Sequence, residues 1–333
     1  MIDRVTTLLW NAHTHRPRLP WRLLGLLVVL ALLGFLSQAA LSIVRRPSVE
    51  SFLVVITPGL SPEAAMIALL NVVFVTAQAV VMVGSVFLVG RFLDRRRFRD
   101  YGFRVDTEWW LDLGFGLGLG AVLITGIFLV ELAAGWLTIR ELFFIARADL
   151  AFWPWFGWGL VAFIVVGIYE ELLFRGYLIT NLAEGFTWFD RLGTVRAVGA
   201  AVIVTSAFFG IAHAGNPNAT LASSAGIVVA ALMLAGGYVL TGELAIPIGI
   251  HITWNFFQGP VYGFPVSGLD NGVALVATDQ SGPTVVTGGS FGPEAGLIGL
   301  LAAVIGLGLV ALWVRWHHGR LRVPDEITSL ELR

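Results

Sequence analysis

Residues 153–179 read WPWFGWGLVAFIVVGIYEELLFRGYLI, and this stretch decides the class of fold. Roughly 20 predominantly apolar residues are enough to cross a bilayer as a helix. This run exceeds that length, yet it carries Glu170, Glu171 and Arg175 in its second half. Ionisable groups inside a membrane span are costly, so they point first to function.

Seven further runs surround it, at approximately Trp21–Val44, Ala64–Gly90, Trp109–Leu137, Ala197–Ala212, Ala219–Leu240, Leu244–Phe257 and Glu294–Trp316. The whole chain agrees with them. Of its 333 residues 57% are hydrophobic and only 13% charged, where soluble domains average about 25% charged. Mean hydropathy is +0.82. The expected fold is all-α: a polytopic membrane helix bundle of about eight transmembrane helices. Residues 1–20 form an N-terminal tail, 21–316 a single transmembrane domain and 317–333 a C-terminal tail. The first run is too long for a signal-peptide core and reads as a retained anchor. Trp10, Trp21, Trp109, Trp110, Trp153, Trp155, Trp313 and Trp316 fall near span ends, as an interfacial aromatic belt requires.

Arginine sets the expected orientation. Arg4, Arg16, Arg18 and Arg22 lie before or at the start of the first span, and Arg91, Arg95, Arg96, Arg97, Arg99 and Arg104 follow the second. Arg191 and Arg196 follow the fourth, and Arg315, Arg320, Arg322 and Arg333 close the chain. With eight spans all of these lie on one side, the cytoplasmic one, of a plasma membrane. Arg45, Arg46, Arg140 and Arg147 lie opposite and go against the rule. The connection 258–293 has no Arg and is rich in Gly, Ser, Thr and Pro; it reads as an outer hairpin, lid or disordered loop.

Several chemistries are excluded. There is no Cys, hence no thiol nucleophile, disulfide or thiolate metal site. There is no Lys, hence no Schiff base and no Ser-Lys dyad. A net charge of -1 provides no field for nucleic acid.

The polar residues at membrane depth fall into three groups. Glu171 and Arg175 are four apart, so they share a helical face and can pair. Glu170 lies about 100° around the helix and faces another neighbour. His213 ends the fifth span, four residues after Phe209. His251 and Asn255 share a face of the seventh, downstream of Pro247, which leaves the carbonyl of Glu243 without its helical donor or bends the helix. Each group alone is explicable as packing: an ion cluster, a satisfied core histidine, or His and Asn hydrogen-bonding between membrane helices. A buried acid, two His and an Asn on separate helices of one bundle suit hydrolysis better. His13, His15, His317 and His318 sit in polar tails and read as solvated.

At these residues the chain resembles the CPBP family of intramembrane peptidases, the CAAX-protease and bacteriocin-processing family that includes Rce1-like and Abi proteins. Its Glu-Glu-x-x-x-Arg motif is met by Glu170, Glu171 and Arg175, its Phe-x-x-x-His by Phe209 and His213, and its His-x-x-x-Asn by His251 and Asn255. The resemblance covers about 153–258. It implies an intramembrane endopeptidase in which Glu170 is the general base, His213 holds the same water, and His251 and Asn255 donate to the oxyanion. Glu171, Arg175 and Phe209 are its supporting residues. The implied substrate is a membrane-embedded or lipid-anchored peptide.

No cofactor is favoured. Zinc on Glu170, His213 and His251 is the rival, weakened by the lack of His-Glu-x-x-His and by the placement of the two His on different helices. The competing function is a non-proteolytic scaffold of the bacteriocin-immunity type, or a transporter. Gly114, Gly116, Gly118 and Gly120 mimic a nucleotide fingerprint inside a span; their spacing suits close helix packing. Glu131 is an intramembrane acid with no evident partner. One geometric tension stands out: Glu170 is about 25 Å along a span that starts at Trp153, whereas His213 ends its own. Antiparallel neighbours would then hold them at different depths unless the fourth span starts later or one helix is tilted or broken.

Overall fold

A computed structural model of the chain describes residues 9–11, 14–46, 48–49, 51, 60–187, 193–324 and 327–328. Arg4, His13, Arg191 and Arg333, named above, lie outside these residues. The chain divides into two compact units: residues 1–98 with 147–151 and 331–333, and residues 99–146 with 152–330.

The first unit holds α1 (Leu19–Val44) and α2 (Pro62–Val89). Both helices start on sequence signals: Pro20 stands in the first turn of α1, and Ser61 caps α2, accepting from the Ala64 N–H at 3.1 Å with Pro62 at the first helical position. A π turn over Gly90–Asp94 extends α2 and ends where Arg95 adopts a left-handed φ of 56°. Asp94 is buried there and pairs with Arg22 of α1 at 3.3 Å.

The second unit holds α3 (Thr107–Ala133), α4 (Phe152–Thr187), α5 (Thr194–Ala212), α6 (Leu221–Thr241), α7 (Ala245–Phe256) and α8 (Leu297–His317). Strands β1 (Leu137–Ile145) and β2 (Val273–Gln280) pair antiparallel, with an irregularity between Ile139 and Glu141. Among the described residues seven helices, α1 to α6 and α8, are long and apolar enough to cross a membrane. The fold is an all-α polytopic bundle.

The seventh expected span, 244–257, is a helix of another kind. α7 has only 12 residues, continued by a π turn over Phe257–Val261, and it is enclosed on nearly every side. It packs on α3, α4 and α6. The approach to α3 is close because Gly116 and Gly120 have no side chains: a Cβ there would stand 2.4 Å from the Ile246 carbonyl oxygen and 2.6 Å from that of Ile250. Contacts that advance together along both chains make α3 and α7 parallel. Gly114 and Gly118 face open space, so only one of the two expected glycine pairs packs a helix. Pro247 neither kinks α7 nor leaves an acceptor idle. It stands in the first turn, where an N–H has no helical partner, and the Glu243 carbonyl accepts from the Thr241 hydroxyl at 3.2 Å.

The connection 258–293 is folded. After the π turn it supplies β2 and then a short helix over Thr284–Thr287. It is held by Glu294, which lies three residues before α8 begins and is therefore outside the span that the sequence had suggested would include it. Glu131 also has a partner from this connection: Gln280 Nε2 donates to its Oε2 at 2.8 Å. Its partner is remote in sequence, which is why inspection of α3 alone finds none.

Candidate active site

The depth mismatch is resolved by the far end of α4. The helix starts at Phe152, as expected, but runs 36 residues to Thr187. Glu170 is therefore 17 residues before the end of α4, and His213 is 19 residues after the start of α5 at Thr194. Counted from the connection between these antiparallel helices, the two stand at matching depth. By this count α5 ends partway along its longer neighbour.

α4 changes form at the motif. It is α-helical through Glu171 and π-helical over Leu172–Ile179. Such insertions recur at functional sites, because widening one turn re-aims the side chains around it. The expected Glu171–Arg175 pair is present, with Arg175 Nη1 donating to Glu171 Oε1 at 2.7 Å. Both side chains are fully enclosed. Arg175 also donates to the Ala231 carbonyl of α6 at 3.2 Å and lies 4.5 Å from the centre of the Phe209 ring. A guanidinium over an aromatic face is attracted by the ring quadrupole, which gives the Phe of Phe-x-x-x-His a physical role.

His251 joins this pair from α7. Its Nδ1 lies 2.7 Å from Glu171 Oε1, so the ring donates to the carboxylate, and its Nε2 is 3.8 Å from Glu170 Oε2. Glu171 thus accepts from Arg175 and from His251 through the same oxygen. His213 turns its Nδ1 to the Phe209 carbonyl at 2.8 Å. A carbonyl only accepts, so Nδ1 carries the proton and, in the neutral ring, Nε2 is an acceptor. The Phe209 ring is centred 4.6 Å from that of His213 and 6.3 Å from that of His251. Asn255 follows His251 by one turn and is half-buried.

Exposure separates two classes of residue. Glu171, Arg175, His251 and Phe209 are buried; Glu170, His213 and Asn255 are only partly so. Neighbouring carboxylates have opposite surroundings: one is locked between two cations or donors, the other borders accessible space.

The family described as type II CAAX prenyl endopeptidase Rce1-like matches residues 152–257. This chain carries an Rce1-like domain. All the motif residues lie inside it, from Glu170 to Asn255, on α4, α5 and α7. The Rce1-like domain is that of a CAAX protease family, and together with seven helices long and apolar enough to span a membrane it supports a multi-pass membrane protein with intramembrane protease function. No curated protein and no solved structure matches the chain.

Two features around the Rce1-like domain escape motif reading. Ala231 of α6 receives the second Arg175 donor through its backbone, which no side-chain pattern reveals. Glu294 lies beyond the domain and is buried, with Gln258 Nε2 donating to its Oε2 at 2.6 Å and the Ser267 N–H to its Oε1 at 3.1 Å. Burial pushes its carboxyl up to about 7, against the lowering effect of these donors. Its signal was an acid at the edge of an apolar run.

Proposed function

We propose that the protein is an endopeptidase hydrolysing a peptide bond in a membrane-embedded or lipid-anchored substrate, with Glu170 and His213 activating water and His251 and Asn255 stabilising the oxyanion. The observation that carries this reading is the imidazole of His251 between two carboxylates, bonded to Glu171 and 3.8 Å from Glu170. That gap is too long for a direct hydrogen bond and suits one shared water.

In this mechanism Glu170 takes a proton from the water as its oxygen attacks the scissile carbonyl carbon. The Nε2 of His213 accepts the water's other hydrogen, its tautomer set by the Phe209 carbonyl. Negative charge develops on the carbonyl oxygen and is met by the Asn255 amide and by the protonated ring of His251, for which Glu171 is the counter-charge. Glu170 then passes its proton to the departing amine as the C–N bond breaks. Arg175 balances Glu171 and keeps it from competing with Glu170 as base.

A metal-free route is favoured over zinc on Glu170, His213 and His251, because the chain has no His-Glu-x-x-His and its two His come from different helices; the Nδ1 contact of each ring leaves Nε2 free for either role. Cleavage that stops on chelation and returns with zinc would overturn that preference. Both termini are placed in the cytoplasm, on the distribution of Arg and with α7 and its π turn, which run parallel to α3, counted as an eighth crossing inside the bundle; an impermeant label reaching a tag at either terminus of intact cells would reverse the placement. The test of the function is cleavage of a membrane-peptide library by the reconstituted protein. Glu170→Gln is expected to fold, insert and leave every peptide intact. Turnover by that variant at the wild-type rate removes Glu170 as base.

A further inference from the structure

Two of the four histidines expected to be solvated, His317 and His318, are partly exposed but have side-chain partners. His317 ends α8 and His318 caps it, and both reach across to the first turns of α3. His318 Nε2 lies 3.1 Å from each oxygen of Asp112, and His317 Nε2 lies 2.6 Å from Glu108 Oε2. Glu108 and Asp112 are four apart on one face of α3. Asp112 is only 1% exposed. One donor atom from each of Asp112, His317 and His318 lies within 4.8 Å of the other two, the grouping of this kind found among the described residues.

We infer that Asp112, His317 and His318 form a site for a divalent transition metal of the zinc type, separate from the catalytic residues. The ligand set is two imidazoles and one carboxylate, which suits borderline cations better than hard ones. Zinc takes such ligands at about 2.0–2.2 Å, so the donors would converge from their present spacing, and each ring nitrogen that now donates to a carboxylate would release that proton as the metal binds. Three protein ligands leave a fourth position, for water or for Glu108.

The surroundings have the features of an outer shell. Trp313 Nε1 donates to Asp112 Oδ1 at 2.8 Å and fixes the orientation of the buried carboxylate. The Trp313 ring stacks on Phe115 at 4.5 Å and on His317 at 4.8 Å, which sets the plane of that imidazole. The rings of His317 and His318 stand 5.1 Å apart and nearly perpendicular, so their donors approach from different directions. A dication would balance Asp112 and Glu108, and it would tie the start of α3 to the end of α8.

The test is titration of the full-length protein in detergent, purified through a tag without histidine and stripped of metal, with Zn2+ and with Co2+ as a spectroscopic probe. One equivalent should bind, with a ligand-field spectrum of low coordination number. Glu170→Gln and His213→Ala should bind it equally well, which separates this site from zinc at the catalytic residues. His317→Gln/His318→Gln, which keeps polar side chains opposite Glu108 and Asp112, should retain helicity and elution but lose the equivalent. Trp313→Phe should weaken binding by about 10–100-fold. Zn2+ should raise the thermal midpoint of wild type and not of the double variant. Binding unaltered by His317→Gln/His318→Gln, or no titratable equivalent in wild type, overturns the site.

Discussion

Two buried acids in the second unit have been accommodated in opposite ways. Glu171, deep in α4, faces a guanidinium and an imidazole, each at 2.7 Å. Glu294, beside α8, faces only neutral donors, from Gln258 and Ser267. A charged carboxylate removed from water is stable only when countered by charge or by several strong donors. Glu171 has the first, with Arg175 and His251 arranged around it. Glu294 has only the second, and its carboxyl is pushed up to about 7. The difference separates an ion-paired carboxylate beside the proposed catalytic residues from a carboxyl that fastens a loop.

The largest effect expected from this contrast is on catalysis. His251→Ala should lower turnover by about 10²–10³-fold, the usual loss for an oxyanion donor, measured on the same peptide that wild type cleaves. Near-normal kcat in that variant would break the link between Glu171 and the site. Next comes stability. Arg175→Met strands Glu171 beside a single partner and should cost about 3–5 kcal/mol, as breaking a buried pair does. Arg175→Met/Glu171→Leu should recover most of that stability in a denaturation experiment while leaving hydrolysis impaired. A double variant no more stable than the single one would show that Arg175 acts by packing.

Glu294 should behave differently with pH. Its folded pKa is raised, so between the unfolded value of about 4.5 and about 7 the folded protein holds more protons than the unfolded. Stability should therefore fall as pH rises through that window, by up to about 3 kcal/mol at roughly 1.4 kcal/mol per unit. Glu294→Gln should flatten this part of the profile, read as thermal midpoint against pH. An unchanged slope would mean that Glu294 is not the titrating group. The smallest effect belongs to Ser267→Ala. It removes one weak hydroxyl contact of 3.3 Å and leaves the backbone donor, so about 0.5–1.5 kcal/mol should be lost. A larger loss would show that the hydroxyl, not the backbone, anchors Glu294.

What the sequence by itself determined is what depends on near neighbours along the chain. Apolar runs of sufficient length make membrane helices, since only a helix satisfies its backbone within the bilayer. Spacings of four put Glu171 under Arg175, Phe209 under His213 and His251 under Asn255, because the helical repeat brings such residues to one face. Only the tertiary structure decided the rest. The Glu171–His251 bond spans 80 positions and the Asp112–His318 contact 206. Nothing local to His318, next to a polar tail, distinguishes it from a solvated residue. The shared depth of Glu170 and His213 followed from the full length of α4, and depth measured from the wrong end of that helix had set them apart. The enclosure of α7 followed from the bare faces of Gly116 and Gly120, which let α3 approach. Hydropathy reads how apolar a segment is; which segment ends up surrounded depends on how side-chain volumes fit between helices, and that is a property of pairs of segments.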